Sequence, residues 1–295
     1  MDAGRRPLDQ FEPSQQARIR AEILRSPDLP AMPIAYARLL SMVAEPRSTP
    51  RDLVEVLEID PALAGRVLRL ANSAFLGRSG KISSLSRAVL FLGWKWVSSL
   101  ALGVTVWGSF TARGGEAALL LWGHAARVAL AARFLGRHLG VRDPEVAFSG
   151  GLLHDIGRAV LVLRHREEAE WLASSAGDDD LAAERALFGA DHATVGAWVA
   201  TSWRLPVELV RTIAHHHDEL LATDGLDALA VVRLADRLIR DVEREGADDA
   251  SLEVPFAATI EALAPGRGLV EAWPGIVHAV RDEGRDLEQI FTGVT

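Results

Sequence analysis

An all-α fold is what this sequence predicts, and three observations carry the prediction. Apolar residues recur at spacings of three, four and seven through most of the chain, the period of amphipathic helices. Strand-like alternation never persists beyond a few residues, and no internal repeat or low-complexity tract appears. Proline and Ser/Thr/Asp cap signals punctuate the chain at helix-length intervals.

Residues 13 to 25 read as a first helix, and Pro27, Pro30 and Pro33 force a break after it. Ile34, Ala37, Leu40 and Met42 carry a second. Thr49 caps the next, with Pro50 in its first turn and Asp52 behind it. Asp60-Pro61 repeats that device for PALAGRVLRLAN, whose stripe is Leu63, Val67 and Leu70; it ends at Asn72-Ser73, where side-chain hydrogen bonds compete with the helix. Ser83 or Ser84 caps SLSRAVLFLG, Gly93 stops it, and Trp94 to Phe110 is a further apolar helix. This half of the chain has no histidine, and its carboxylates lie scattered near helix starts.

From Glu116 onward the helices carry histidine. The stripe Leu120, Leu121, Val128, Ala131 and Leu135 places His124 on an inward face. Asp143-Pro144 starts the next helix, which is predicted to run on through AFSGGLLHDIGR with Phe148, Leu152 and Ile156 inward and the adjacent His154 and Asp155 among them. After a turn-prone acidic loop between Trp171 and Asp180, Asp191 opens a helix that points His192 inward with Val195, Gly196 and Val199. In LPVELVRTIAHHHDEL, His216 and His217 continue the stripe of Leu209, Val210 and Ile213, whereas His215 falls off it, because three consecutive residues span about 200° of helix. Asp236 faces the core beside Leu229, Val232 and Ile239. His138, His165 and His278 need no role beyond ordinary core or surface positions. Residues 241 to 295 are a charged connection followed by two short amphipathic helices around Phe256 and Trp273.

Length and composition bound the function. At 295 residues the chain divides more naturally into two lobes than one. With no cysteine, disulfides and thiolate metal sites are excluded, so any metal must be held by His, Asp or Glu. The N-terminal MDAGRRPLDQ lacks an apolar core, and the longest apolar stretch, Ala88 to Phe110, is broken by Lys95 and by Gly and Ser; the expectation is a cytoplasmic protein with no membrane association. A net charge of −8 argues against sequence-specific nucleic-acid binding. The charge is uneven, at +4 over residues 1 to 110 and −12 over 111 to 295. No acid lies between Pro61 and Gly115, a stretch holding Arg66, Arg69, Arg78, Lys81, Arg87, Lys95 and Arg113; the expectation is a basic lobe docked on an acidic one. Within it, Arg78 and Lys81 fall in the Gly-flanked FLGRSGKISS and form the candidate partner-binding surface.

Burying this many imidazoles and two carboxylates costs several kcal/mol unless a metal or a dense hydrogen-bond network compensates them, of order 2–7 kcal/mol for each unpaired polar group. A shared site is therefore expected. The order His124, His154-Asp155, His192, His216-His217, Asp236, with GLLHDIGR, resembles the HD superfamily of metal-dependent phosphohydrolases. LPAMP, IDPALAGRVLRLANSAF, ISSLSRAVLFLG, LWGHAARVA, GLLHDIGR, DHATVGAWVATSWRLP and IAHHHD resemble more narrowly the HDOD domain of bacterial signalling proteins, over residues 14 to 240. The resemblance implies a bilobal all-α protein: a tail at 1–13, an N-terminal helical bundle at 14–110 packed on an HD-like bundle at 111–240, and a helical extension at 241–295. It implies His124 as first metal ligand, His154 and Asp155 as the central pair, His192, His216 and His217 as the extra ligands of two-metal relatives, and Asp236 as closing carboxylate. One or two divalent ions are the implied cofactor. The related HD-GYP phosphodiesterases carry a Lys three residues after the central Asp and a Gly-Tyr-Pro element. Here Arg158 stands at the first position, a candidate phosphate contact, HHHDELLATDG replaces the second, and the only tyrosine is Tyr36. The expectation is a regulatory scaffold without turnover that binds signalling proteins in trans or a small nucleotide; the alternative is a metal-dependent phosphohydrolase or cyclic-dinucleotide phosphodiesterase using the same cluster.

Overall fold

The computed structural model describes residues 13–31, 39, 49–72, 82–174, 181–218 and 225–245. The second predicted helix except Leu39, the segment carrying Arg78 and Lys81, part of the loop after Trp171, and the extension around Phe256 and Trp273 lie outside the described residues. Every regular element among the described residues is helical. In chain order these are α1 (Pro13–Leu24), α2 (Pro50–Glu58), α3 (Pro61–Ala71), α4 (Leu85–Leu92), α5 (Trp94–Leu139), α6 (Pro144–Leu153), α7 (Ile156–Arg164), a 3₁₀ turn (Arg166–Glu168), α8 (Ala169–Ser174), α9 (Leu181–Phe188), α10 (His192–Ser202), α11 (Val207–His215) and α12 (Ala228–Glu245).

The cap signals act as expected. Thr49 and Asp52 form a reciprocal capping box on α2. Asp60 accepts from the N–H groups of Ala62 and Leu63 at the head of α3, and Ser84 accepts from that of Arg87 at the head of α4. The Asn72 amide at the end of α3 accepts from the Ile82 N–H and donates to the Leu68 and Ile82 carbonyls, so one side chain fastens α3 to the approach of α4. Helices α2, α3 and α4 pack on one another and on α5.

Helix α5 spans 46 residues but is two helical segments meeting at Gly115, whose φ of 59° and ψ of −141° are open to glycine and costly for other residues. Its packing against α6, α7 and α12, and theirs against α10 and α11, builds the bundle that holds the histidines. The apolar windows of Trp94–Leu139 and Pro144–Arg164 are long enough to cross a membrane, yet 78% and 94% of them is buried within the protein, as core helices are.

Three details differ from the sequence reading. Leu120 is 58% exposed; the inward stripe is Leu121, His124, Ala125 and Val128, so Leu120 lies a full residue step, about 100°, off the face. Helix α12 continues to Glu245, past position 240 where the sequence reading ends that lobe. Finally, His154 and Asp155 do not lie inside one helix but at the junction between α6 and α7.

Candidate metal centre

That junction has an identifiable cause. In an uninterrupted helix the Gly151 and Leu152 carbonyls would accept from the N–H groups of Asp155 and Ile156. Instead the Leu152 carbonyl accepts from Trp107 Nε1 at 2.6 Å, and the Gly151 carbonyl lies 2.7 Å from Nδ1 of His154. Asp155, freed from the ladder at φ −96°, ψ 17°, turns its carboxylate into the bundle. Close approaches set its surroundings. A Cβ at Gly151 would meet the Ala129 backbone at 2.6 Å, and one at Gly157 would collide with the His192 carbonyl. These glycines let α6 reach α5 near His124 and let α7 reach α10 at His192.

All seven residues assigned to the site from sequence come together. Asp155 Oδ1 lies 3.2 Å from His192 Nε2 and 3.4 Å from His216 Nε2; its Oδ2 lies 3.5 Å from His154 Nε2 and 3.9 Å from His124 Nε2. Asp236 Oδ1 stands 3.2 Å from His124 Nε2 and 3.6 Å from His154 Nε2. His217 Nε2 is 2.6 Å from His192 Nε2, whereas His215 points away and pairs with Asp218 at 2.8 Å. Within this cluster three overlapping groups could each hold an ion: Asp155 with His192, His216 and His217; His124 with His154 and Asp155; and His154 with His216 and Asp236.

Four imidazoles are oriented the same way, each with Nδ1 against an acceptor and Nε2 turned inward. His154 and His216 place Nδ1 on carbonyls three residues back, Gly151 and Ile213, at 2.7 and 2.9 Å. His192 places it on Glu184 at 2.6 Å and His124 on Glu243 at 3.1 Å. An outer acceptor on Nδ1 is how metal-binding histidines are held in the ligating tautomer. Glu184 also accepts from the His192 backbone N–H at 2.7 Å.

The residues fit a divalent ion. His154 Nε2 and both oxygens of Asp155 are buried without a hydrogen-bond partner, as are both terminal nitrogens of Arg158. Buried polar groups almost always find partners, so orphans concentrated at one carboxylate mark a place built for something that binds there. Ligands about 2.0–2.2 Å from an ion sit about 3.3–3.6 Å apart in a tetrahedron, close to the spacings around Asp155. Imidazole with carboxylate suits the borderline first-row ions.

Charge is distributed unevenly. Burial pushes Asp155 up, but Arg158, His154 and His192 together hold it well below the usual carboxylate range. Asp236 is likewise raised by burial, and this is more than offset by Arg240, by the hydrogen bond with His124 and by the nearby His154. Burial pulls His124 down, yet Glu243 and Asp236 overcome this and push it up to about 9. For His216 burial wins over the nearby Asp155 carboxylate, with His154 and His192 adding to the effect, and it falls to about 4.

Arg158, the candidate phosphate contact, is wholly buried. Its Nε lies 3.3 Å from His192 Nδ1, 3.5 Å from Glu184 and 3.8 Å from Asp155. Glu184, Arg240 and Glu243 were missed in sequence. Arg240 and Glu243 follow Asp236 at plus four and plus seven, a helical signal that could have found them. Glu184, in LAAERALFG, carries no such signal.

The HDOD domain family matches residues 29–219 of the chain. A solved structure from Shewanella amazonensis, of a protein named a phosphohydrolase, is 28% identical with a TM-score of 0.72, covering 92% of this chain and 98% of its own. An uncharacterized protein of Treponema pallidum is 25% identical over 241 residues, 79% of this chain and 46% of that one. A ribonuclease Y of Thermus thermophilus is 29% identical over 168 residues, 57% of this chain and 24% of the enzyme. The chain thus spans less than half the length of the curated relatives it matches.

Proposed function

The chain belongs to the HDOD domain family, and from that premise we propose that it is a regulatory protein whose histidine cluster holds a divalent ion and whose output is binding rather than turnover. The observation that carries the reading is Asp155, fully buried, with both oxygens unpartnered and four oriented imidazole Nε2 atoms around it. The ion would be held by Asp155 with residues drawn from His124, His154, His192, His216, His217 and Asp236. It would supply Lewis-acid charge and lock the junction between α6 and α7 to α5, α10 and α11.

Two features favour binding over turnover. His154, Asp155, Arg158 and His192 are all 0% exposed, so a phosphodiester reaches them only if the bundle opens. The sequence also lacks the Lys and the Gly-Tyr-Pro element of the phosphodiesterase relatives, as noted above. The second reading, a metal-dependent phosphohydrolase, draws on the two unpartnered nitrogens of Arg158 and on the likeness to proteins named phosphohydrolase and ribonuclease.

Metal analysis of the purified chain, with turnover of bis(p-nitrophenyl) phosphate and of cyclic dinucleotides followed with added Mn²⁺, separates them. The expected result is bound metal, lost in Asp155→Asn, with no hydrolysis above the metal-only blank. Hydrolysis that Asp155→Asn abolishes would establish the second reading, and a metal-free wild type would overturn both.

The partners proposed are signalling proteins in trans or a small nucleotide, with Arg78 and Lys81 as contact surface. Charge steering weakens beyond a Debye length of about 8 Å at physiological salt, so association should slow as salt rises. Reversing both residues to Glu should impair signalling output while leaving the melting temperature nearly unchanged. A large loss of stability would instead show that these charges hold the protein's own parts together.

A further inference from the structure

The two carboxylates of the cluster are not equivalent. Both oxygens of Asp155 lack a hydrogen-bond partner, whereas both oxygens of Asp236 are taken by one guanidinium: Arg240 places Nη2 2.6 Å from Oδ2 and Nε 2.9 Å from Oδ1. This two-pronged, charge-assisted contact is the strong kind, and it runs between residues four apart on α12. Arg240 is itself only 5% exposed, so the contact is made inside the bundle and is little screened by solvent.

The same guanidinium reaches a second ligand. Its Nη2 lies 3.4 Å from Nδ1 of His217, and a guanidinium can only donate. A ring nitrogen that accepts this bond carries no proton, so in neutral His217 the proton sits on Nε2, which faces His192 Nε2 at 2.6 Å. Arg240 therefore occupies Asp236 and turns His217 to the non-ligating tautomer, while His154 and His216, each with Nδ1 on a backbone carbonyl, keep Nε2 free to ligate beside Asp155.

Charge points the same way. Four carboxylates surround the cluster, Asp155, Glu184, Asp236 and Glu243, together with three guanidiniums, Arg158, Arg240 and Arg127; Asp191 and Arg185 cancel as a pair at 2.6 Å. Counted with every imidazole in the neutral form that ligates metal, the group carries one negative charge. One divalent ion changes that to one positive charge, and a second would leave three in a buried site.

Resting on the reading of this cluster as a metal centre, we propose that Arg240 is a built-in counter-ion standing where a second metal would be neutralised. The protein takes one divalent ion, on the Asp155 side, and becomes a two-ion site when Arg240 is removed.

The test uses the full chain, stripped with chelator, equilibrated with Mn²⁺ and gel-filtered, with bound manganese counted by mass spectrometry and its electronic environment read by electron paramagnetic resonance. Wild type should retain one equivalent with the signal of an isolated ion. Arg240→Met should retain two, with the signal of a coupled pair, and Asp236→Asn should keep the first ion. Two equivalents in wild type, one in a folded Arg240→Met chain, or loss of the first ion from Asp236→Asn would each overturn the proposal. If Arg240→Met does not fold, the double variant Asp236→Asn/Arg240→Met removes both charges together; it should still hold one ion, and its failure to do so is equally fatal. Retention of none by wild type and Arg240→Met alike overturns the metal reading itself, an outcome distinct from those that overturn only the role of Arg240.

Discussion

At His124 the metal and the proton compete for one nitrogen. Its Nε2 faces both Asp236 and Asp155, and Asp236 together with Glu243 raises its pKa to about 9. In the metal-stripped chain this raised value contributes stability that is complete below the unfolded pKa of about 6.5 and is lost as pH rises through about 9. His216 works in the opposite direction. Its folded pKa of about 4 lies below the unfolded value, so the unfolded chain takes up the proton first and stability falls as pH drops from about 6.5 to about 4. The melting temperature of the stripped protein should therefore peak near pH 6.5, and its decline on the alkaline side should flatten in His124→Gln. An equal decline in that variant would show that the alkaline loss comes from elsewhere. Because His124 must shed its proton to ligate, Mn²⁺ uptake at pH 7.5 should release a proton if His124 joins the shell; calorimetry in two buffers of different ionisation enthalpy counts it. The histidines were legible in sequence because a polar ring on an apolar stripe is conspicuous. Glu184 was not, because nothing in the spacing of LAAERALFG separates its one buried carboxylate from the exposed acids Glu167 and Glu170 nearby. Glu184→Gln keeps the shape but replaces the charged acceptor on His192, and should weaken Mn²⁺ binding by about 10–100-fold, the usual cost of losing an outer-shell partner.

Among the elements, the break between α6 and α7 does most to shape the site, and it shows where periodicity stops being informative. The stripe Phe148, Leu152, Ile156 is fully buried as the spacing predicts, yet the spacing is preserved across a one-turn interruption that only tertiary contacts reveal. Trp107, on another helix and 45 residues away in sequence, supplies the N–H that takes the Leu152 carbonyl out of the ladder. Trp107→Phe keeps most of the ring volume and leaves that buried carbonyl without its donor. The expected loss is about 1–3 kcal/mol of unfolding free energy by denaturant titration, together with weaker Mn²⁺ retention, because Asp155 is no longer held out of helical register. Gly157 sets the neighbouring crossing of α7 on α10. A Cβ there meets backbone rather than a movable side-chain tip, so Gly157→Ala should cost about 1–3 kcal/mol despite alanine's better helix propensity. A stabilised Gly157→Ala chain would mean that the two helices separate at little cost and that the approach of His192 to Asp155 is not set by this contact.

For the molecule as a whole, the cluster is a tie between distant parts of the chain. Its side chains come from α5, the α6–α7 junction, α9, α10, the C-terminal end of α11 and α12, and they bring residues 124 and 243 into contact across 119 positions. The all-α class and the convergence of the seven residues were legible in sequence because both follow from helical periodicity. The last turn of α12 was not, because Val242 to Ala250 looks like a solvated charge run until Glu243 is seen to pair with His124 and Arg127. Within the basic stretch, Lys95 pairs with Asp143 at 2.7 Å. Such a pair, well exposed on the lysine side, contributes on the order of 0–1 kcal/mol. An ion that binds only the folded state contributes more, about 2.7 kcal/mol at one hundred times its dissociation constant. At about 2–4 °C per kcal/mol for a chain somewhat smaller than this one, saturating Mn²⁺ should raise the melting temperature of the stripped protein by about 5–10 °C. The rise should grow with the logarithm of free Mn²⁺ and vanish in Asp155→Asn, whereas breaking the surface pair with Lys95→Ala should shift the midpoint by no more than about 4 °C. If Mn²⁺ leaves the wild-type midpoint unmoved while Lys95→Ala lowers it by more, the molecule is held together by its charged surfaces, and the buried histidines are a hydrogen-bonded core without an ion.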